Sequence, residues 1–265
     1  MTGGGYEESM RRMPWLRPQD YFVAELRARP EAVFEARTTL SWIMCRGVYQ
    51  GRRLADLVLV HEDGMATAVE VLPDRTDKQA AVEHLHQTRD FIAAELGITD
   101  TLLKVAYYDG DVFSYDIVPN GTIGNAEAIC TGMHAGYRNG MRRYTTGRDM
   151  TTHAEYLEAL VTRLDAVDVQ DEKWIMQDGV WFEEGSVHQR RLADLVVVHK
   201  DDSATALELK GSGKKNQKAR VQLLDTQEFI QEQLGLRDVT LRIVHYQPKG
   251  QYTWFDVGLD DTSEP

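Results

Sequence analysis

Cysteine is scarce here. Two thiols in 265 residues, Cys45 and Cys130, lie far apart and in no metal-ligand spacing. That excludes a thiolate zinc site and a disulfide framework, and leaves idle thiols in a reduced compartment as the expectation. Lysine is scarce too: 9 residues, against 21 arginines. Basic charge as a whole is short, so the formal net charge is −12. A uniformly acidic surface repels nucleic acid, so any polyanion contact must rest on local basic patches. Long apolar runs are missing as well. No stretch approaches the length of about 20 residues that crosses a bilayer. The opening "MTGGGYEESMRRM" has no apolar core, so no secretory signal and no membrane partner are expected. A cytoplasmic protein is the expectation.

What the chain does have is a repeat. Shifted by 138 positions, residues 53–108 fall on 191–246 without a gap, with 24 identities in 56 positions. Asp56/Asp194, His61/His199, Glu70/Glu208, Gln79/Gln217, Thr88/Thr226 and Phe91/Phe229 are among them. Chance does not hold a register that long, so a duplicated domain is expected.

Each copy reads alike. An amphipathic helix comes first, "PQDYFVAELRARP" in one copy and "THAEYLEALVTRLDAV" in the other, where Leu157, Leu160, Val161 and Leu164 share a face. A Trp-, Ile- and Val-rich strand follows, near 38–49 and 172–182. Two short β runs with a polar turn come next, 53–61 to 65–72 and 191–199 to 203–210. A long helix is predicted at 77–96 and 216–234, a strand at 102–108 and 240–246, and a closing strand near 112–118 and 251–257. The fold class expected is α/β, with an α+β mixed sheet in each copy. The domains would be 1–118 and 153–265. Residues 119–152, rich in Gly and polar side chains, would be a linker or a nucleic-acid-contacting loop.

The chemistry concentrates in "RRLADLVVVHKDDSATALELKGSGKKNQKAR", residues 190–220. A hairpin centred near Asp201–Asp202 sets Asp194 opposite Leu209, within one register step of Glu208. Strand alternation sends Glu208 and Lys210 to one face. Two carboxylates a few ångströms apart repel unless a cation sits between them. A hard divalent ion with oxygen ligands is the natural occupant, Mg²⁺ or Mn²⁺. With a lysine beside it, this is a plan for phosphodiester hydrolysis. The plainer alternative is that Asp194 only caps a strand or pairs with Arg190 or Arg191, and that Glu208 and Lys210 form a same-face surface ion pair of little consequence. Against it, "LADLVVV" and "TALEL" surround these charges with apolar neighbours, where unpaired charge is costly.

Asp194 and the "ELK" at 208–210, inside the αβββαβ order, resemble the PD-(D/E)xK nuclease superfamily, whose fold is restriction-endonuclease-like. The resemblance covers most of each copy and implies two such domains in tandem, a pseudo-dimer related by a pseudo-two-fold. It implies metal coordination by Asp194, Glu208 and the backbone carbonyl of Leu209, with Lys210 catalytic. It adds a glutamate from the first helix, best matched by Glu158 and next by Glu155, and a glutamine after the motif, matched by Gln222. Ala193 stands where the family's motif has proline.

The first copy keeps Asp56 and Glu70 but has Leu72 where the second has Lys210, and His84 where it has Gln222. Residues 210–220 hold five basic side chains (Lys210, Lys214, Lys215, Lys218, Arg220) and no acid. In 72–82, Arg75 and Lys78 are balanced by Asp74 and Asp77. The lysine and the basic run vanish together, as expected of one active copy and one degenerate copy. Between the copies, Arg138, Arg142, Arg143 and Arg148 alternate with Tyr137 and Tyr144, a pattern suited to phosphates and bases. The expected function is a metal-dependent endonuclease acting on DNA, nicking unless it forms a homodimer. The rival is a non-catalytic nuclease-fold protein that binds nucleic acid or mimics its acidity. His61 and His199 read as turn or packing residues.

Overall fold

The computed structural model describes residue 23 and residues 40–72, 78–109, 112–118, 153–182, 189–211, 216–247 and 251–258. The chain divides into two compact units, one of residues 1–43 with 54–122, the other of 44–53 with 123–265. The division falls within the first strand, β1 (Leu40–Tyr49). Both units are mixed α/β and rich in sheet.

In the first unit, β3 (Leu57–His61) pairs antiparallel with β4 (Ala66–Leu72). Helix α1 (Lys78–Glu95) then carries the chain to β5 (Thr101–Asp109), which runs parallel to β4. Strand β6 (Val112–Val118) closes the ladder antiparallel to β5. Between β1 and β3 lies the two-residue β2 (Arg52–Arg53), which pairs back onto β1. Only a helical crossover can join parallel neighbours, which is why α1 sits where it does.

The second unit repeats this order. Helix α2 (His153–Val161) and a 3₁₀ turn (Leu164–Val167) lead into β7 (Glu172–Phe182). The short β8 (Gln189–Arg191) folds back on β7, and β9 (Leu195–His199) also pairs with β7. Then come β10 (Ala204–Gly211), α3 (Gln217–Gln233), β11 (Val239–Gln247) and the terminal strand β12 (Gln251–Asp256). β10 is antiparallel to β9 and parallel to β11. The sheet is packed on both faces. Tyr156, Leu157 and Leu160 of α2 join Leu195, Val197, Leu207, Leu209 and Val244 in one cluster. Alternation turns Val196, Ala206, Glu208 and Ile243 to the opposite face. Buried Leu223, Phe229 and Ile230 of α3 supply its cover, with Phe229 edge-on to Trp181.

Two expectations need correcting. The run 191–199 is not one strand. It breaks at Leu192–Asp194 between β8 and β9, because side chains there replace the ladder's backbone partners. The hairpin is centred on Asp201, one half-step earlier than expected: Ala204 faces Val198 and Leu207 faces Leu195. Continued, that register brings Asp194 opposite Glu208 rather than Leu209. The first helix of the N-terminal copy, the 119–152 segment and Cys130 lie outside the described residues, apart from Val23. Cys45 is buried as a free thiol.

Candidate active site

The break before β9 is what places Asp194. Its neighbour Ala193 donates its N–H to the Thr226 hydroxyl of α3 at 2.7 Å. Asp194 donates its own N–H to Glu208 Oε2 at 3.1 Å. In return, the Leu209 N–H donates to Asp194 Oδ2 at 2.8 Å. The two carboxylates are therefore laced together through backbone amides, and both are almost wholly buried. Each keeps a second oxygen for other partners. Glu208 Oε1 accepts from Lys210 Nζ at 2.5 Å. Asp194 Oδ1 accepts from Arg191 Nη2 at 3.0 Å and lies 3.3 Å from His153 Nε2.

Electrostatics separates the two acids. Burial pushes the Glu208 carboxyl up to about 7, the Asp194 charge adds to the shift, and Lys210 opposes it. Burial also opposes ionisation of Asp194, but His153, the Leu209 amide and Arg191 outweigh it and hold that carboxyl below its usual range. The bond to Asp194 in turn raises His153 above the ordinary histidine value, against the effect of burial. The two crowded acids are thus driven apart in titration, Asp194 downward and Glu208 upward.

The sequence pointed to Asp194, Glu208, Leu209 and Lys210, and the fold brings these four together. Gln222 lies one turn before Thr226 on α3 and donates to the Leu192 carbonyl at 2.6 Å, so it braces the break. Glu158 stands half-buried on α2, five residues beyond His153, with Glu155 between them. Lys218 is exposed and Arg220 half-buried in the first turn of α3. Lys214, Lys215, Arg138, Arg142, Arg143 and Tyr144 lie outside the described residues. His61 and His199 contact Thr67 and Thr205, each at 2.9 Å across the hairpin, consistent with packing roles.

No family model and no curated protein matches this chain. The internal repeat therefore supplies the comparison. In the first unit, Ala55 donates to Thr88 Oγ1 at 2.7 Å, Asp56 donates to Glu70 Oε2 at 3.2 Å, and Val71 donates to Asp56 Oδ2 at 2.9 Å. The frame matches that of the second unit bond for bond. Leu72 offers Glu70 no cation; instead His84 Nδ1 lies 3.3 Å from Glu70 Oε1, the oxygen that Lys210 occupies on Glu208. The glutamine of one copy and the histidine of the other thus do different work from one helical position.

Sequence alone offers Arg191, beside Arg190, as an ion-pair partner of Asp194, and Arg191 does donate to Asp194 Oδ1. Thr226 leaves a signal in its identity with Thr88 across the repeat. His153 leaves none that separates it from an ordinary surface histidine.

Asp194, Glu208 and the Leu209 carbonyl are oxygen donors of the type a hard divalent ion takes, and the four carboxylate oxygens already carry backbone amides, Lys210, Arg191 and His153. Among the described residues, no three His, Cys, Asp or Glu side chains form a ready-made cage. Two carboxylates and the Leu209 carbonyl, completed by water, are what Mg²⁺ accepts, since it sheds its water reluctantly.

Proposed function

We propose that the second unit is a divalent-metal-dependent endonuclease of the PD-(D/E)xK kind, acting on DNA. The whole chain is then a tandem pair of restriction-endonuclease-like domains with a degenerate first copy. One observation carries this reading. Asp194, Glu208 and Lys210 meet in a single hydrogen-bonded cluster, at the break of one strand and the end of its neighbour. Asp194, Glu208 and the Leu209 carbonyl would hold Mg²⁺ or Mn²⁺, and the ion would supply Lewis acidity toward a phosphate. Lys210, anchored on Glu208 and one-fifth exposed, offers its ammonium to the negative charge that builds as water attacks phosphorus. The attacking water gives up one proton to solvent as its oxygen bonds to phosphorus, the bond from phosphorus to the leaving sugar oxygen breaks, and that oxygen takes up a proton from solvent. The resemblance of the Asp…Glu-x-Lys pattern, rather than any single residue, favours DNA over RNA.

The decisive assay is supercoiled plasmid with Mg²⁺ or Mn²⁺. Wild type converts it to nicked circles; Lys210→Ala and Asp194→Ala each lower the rate by about 10³-fold or more, the scale lost with an essential electrostatic group. Nicking that survives both substitutions rejects the assigned site. A non-catalytic binding protein is the second reading, favoured by Arg191 and His153, which already neutralise the outer oxygen of Asp194. Salt-sensitive DNA binding without cleavage under any divalent ion supports it.

A further inference from the structure

The sheet face that carries Glu208 and Lys210 continues outward past the site. β11 pairs in register with β10, so Lys210 has His245 as its ladder partner and Glu208 has Ile243. β12 pairs next, setting Phe255 beside Ile243 and Thr253 beside His245. Ladder partners share a face, so Lys210, His245 and Phe255 lie on one side of the sheet. Glu208 and Phe255 occupy one rung, two strands apart, which is about 10 Å. Ile243 between them is buried, whereas His245 is half-buried. The His245 and Phe255 rings stack with centroids 5.9 Å apart and planes 22° apart. Phe255 is nevertheless 36% exposed on the terminal strand, so part of its surface is free of protein.

An aromatic ring backed by an imidazole and open to water offers a flat face on which another π system can stack. The repeat bears on what that face is for. In the first unit the register puts Tyr107 beside Leu72, and Asp116 beside Val105. The His–Phe pair of the second unit is thus Tyr and Asp in the first. On that face the exposed aromatic is present where the lysine is present; the first unit's exposed aromatic, Tyr115, pairs with Ala106 on the other face.

We propose that Phe255, supported by His245, is a stacking platform for an unpaired base next to the phosphate cut at Lys210. The substrate is then nucleic acid that is single-stranded at that nucleotide. This rests on the hydrolytic reading of Asp194, Glu208 and Lys210 and specifies its substrate. A π face accepts any base, so the platform selects strandedness rather than sequence. A base locked in a duplex cannot reach it.

The test is binding of a fluorescein-labelled oligothymidylate of about 12 nucleotides, a length within the usual site size, against a blunt duplex of the same length. Ca²⁺ replaces Mg²⁺ to suppress cleavage. Phe255→Ala weakens the single strand by roughly 5- to 100-fold, the range lost with one stacked base. The duplex affinity stays within about twofold, and Phe255→Tyr restores single-strand binding. Unchanged thermal melting of both variants excludes a folding defect. Equal loss on both ligands, or no loss on either, overturns the platform. If plasmid nicking depends on Lys210 while Phe255→Ala binds the single strand normally, the platform falls and the nuclease stands. If wild type neither binds nor cuts nucleic acid, both fall.

Discussion

The Glu208 carboxyl makes the second unit lose stability as pH rises toward neutrality. Glu208 carries a folded-state value near 7 against an ordinary value of 4.5. Below 4.5 both folded and unfolded chains hold the proton, and no stability is lost. As pH rises above that value the unfolded chain ionises first, so stability falls until the folded carboxyl also titrates near 7. The span corresponds to about 3 kcal/mol. Measured with chelator present, the second unit of the wild type melts at progressively lower temperature between these pH values. Glu208→Gln flattens that slope and is the more stable of the two at neutral pH. Asp194 acts with the opposite sign. Its depressed value contributes stability above the ordinary carboxylate range and loses it as pH falls through the folded value. A slope unchanged in Glu208→Gln would show that the cluster does not carry the linkage.

At the level of elements, the site depends on a strand that stops. β8 and β9 are interrupted so that the amides of Ala193 and Asp194 turn to the Thr226 hydroxyl and the Glu208 carboxylate. Thr226→Val keeps the shape and deletes the acceptor, leaving a buried N–H unpaired. The expected cost is about 1–3 kcal/mol, read as a lower denaturation midpoint, and Thr226→Ser recovers most of it. Thr88→Val does the same in the first unit, since its bond to Ala55 is also 2.7 Å. Identity across the repeat made Thr226 visible, but not its job. Propensity and alternation specified the strands and helices closely: β7 begins and ends at the residues expected, and α3 lies within one residue of expectation at each end. They could not reveal the break at 192–194. "RRLADLVVVH" is apolar and β-branched enough to read as one continuous strand, and only side chains distant in sequence interrupt it. The half-step in the hairpin register has a local origin instead: the turn is held by Asp201, which accepts from both the Ser203 N–H and hydroxyl. The four residues of the motif were legible because they are local. Arg191 was legible too, as a near neighbour of Asp194 three residues away; His153 was not, because its meaning comes from packing.

On the scale of the whole molecule, charge sets the working conditions. The chain carries −12, yet the stretch 210–220 carries five basic side chains and no acid. Long-range attraction to DNA is therefore absent, and binding depends on short-range contacts that salt screens efficiently. If all five contact phosphates on duplex DNA, the logarithm of affinity falls with the logarithm of salt at a slope near −4.5, and on a single strand near −3.5. Fluorescence anisotropy across a salt series measures this slope directly. Charge-neutral replacement of Lys214, Lys215 and Lys218 is expected to flatten it by about 3 on duplex and about 2 on single strand. A slope near zero in the wild type would remove the basic run from the interface and leave the acidic bulk as the dominant field. The same arithmetic predicts how cleavage proceeds. One hydrolytic cluster cuts one strand per encounter, and weak long-range attraction makes the product depart before a second cut. Nicked circles should then accumulate almost fully before linear DNA appears. Raising protein concentration should advance the linear product only if two copies of the chain act together on one duplex.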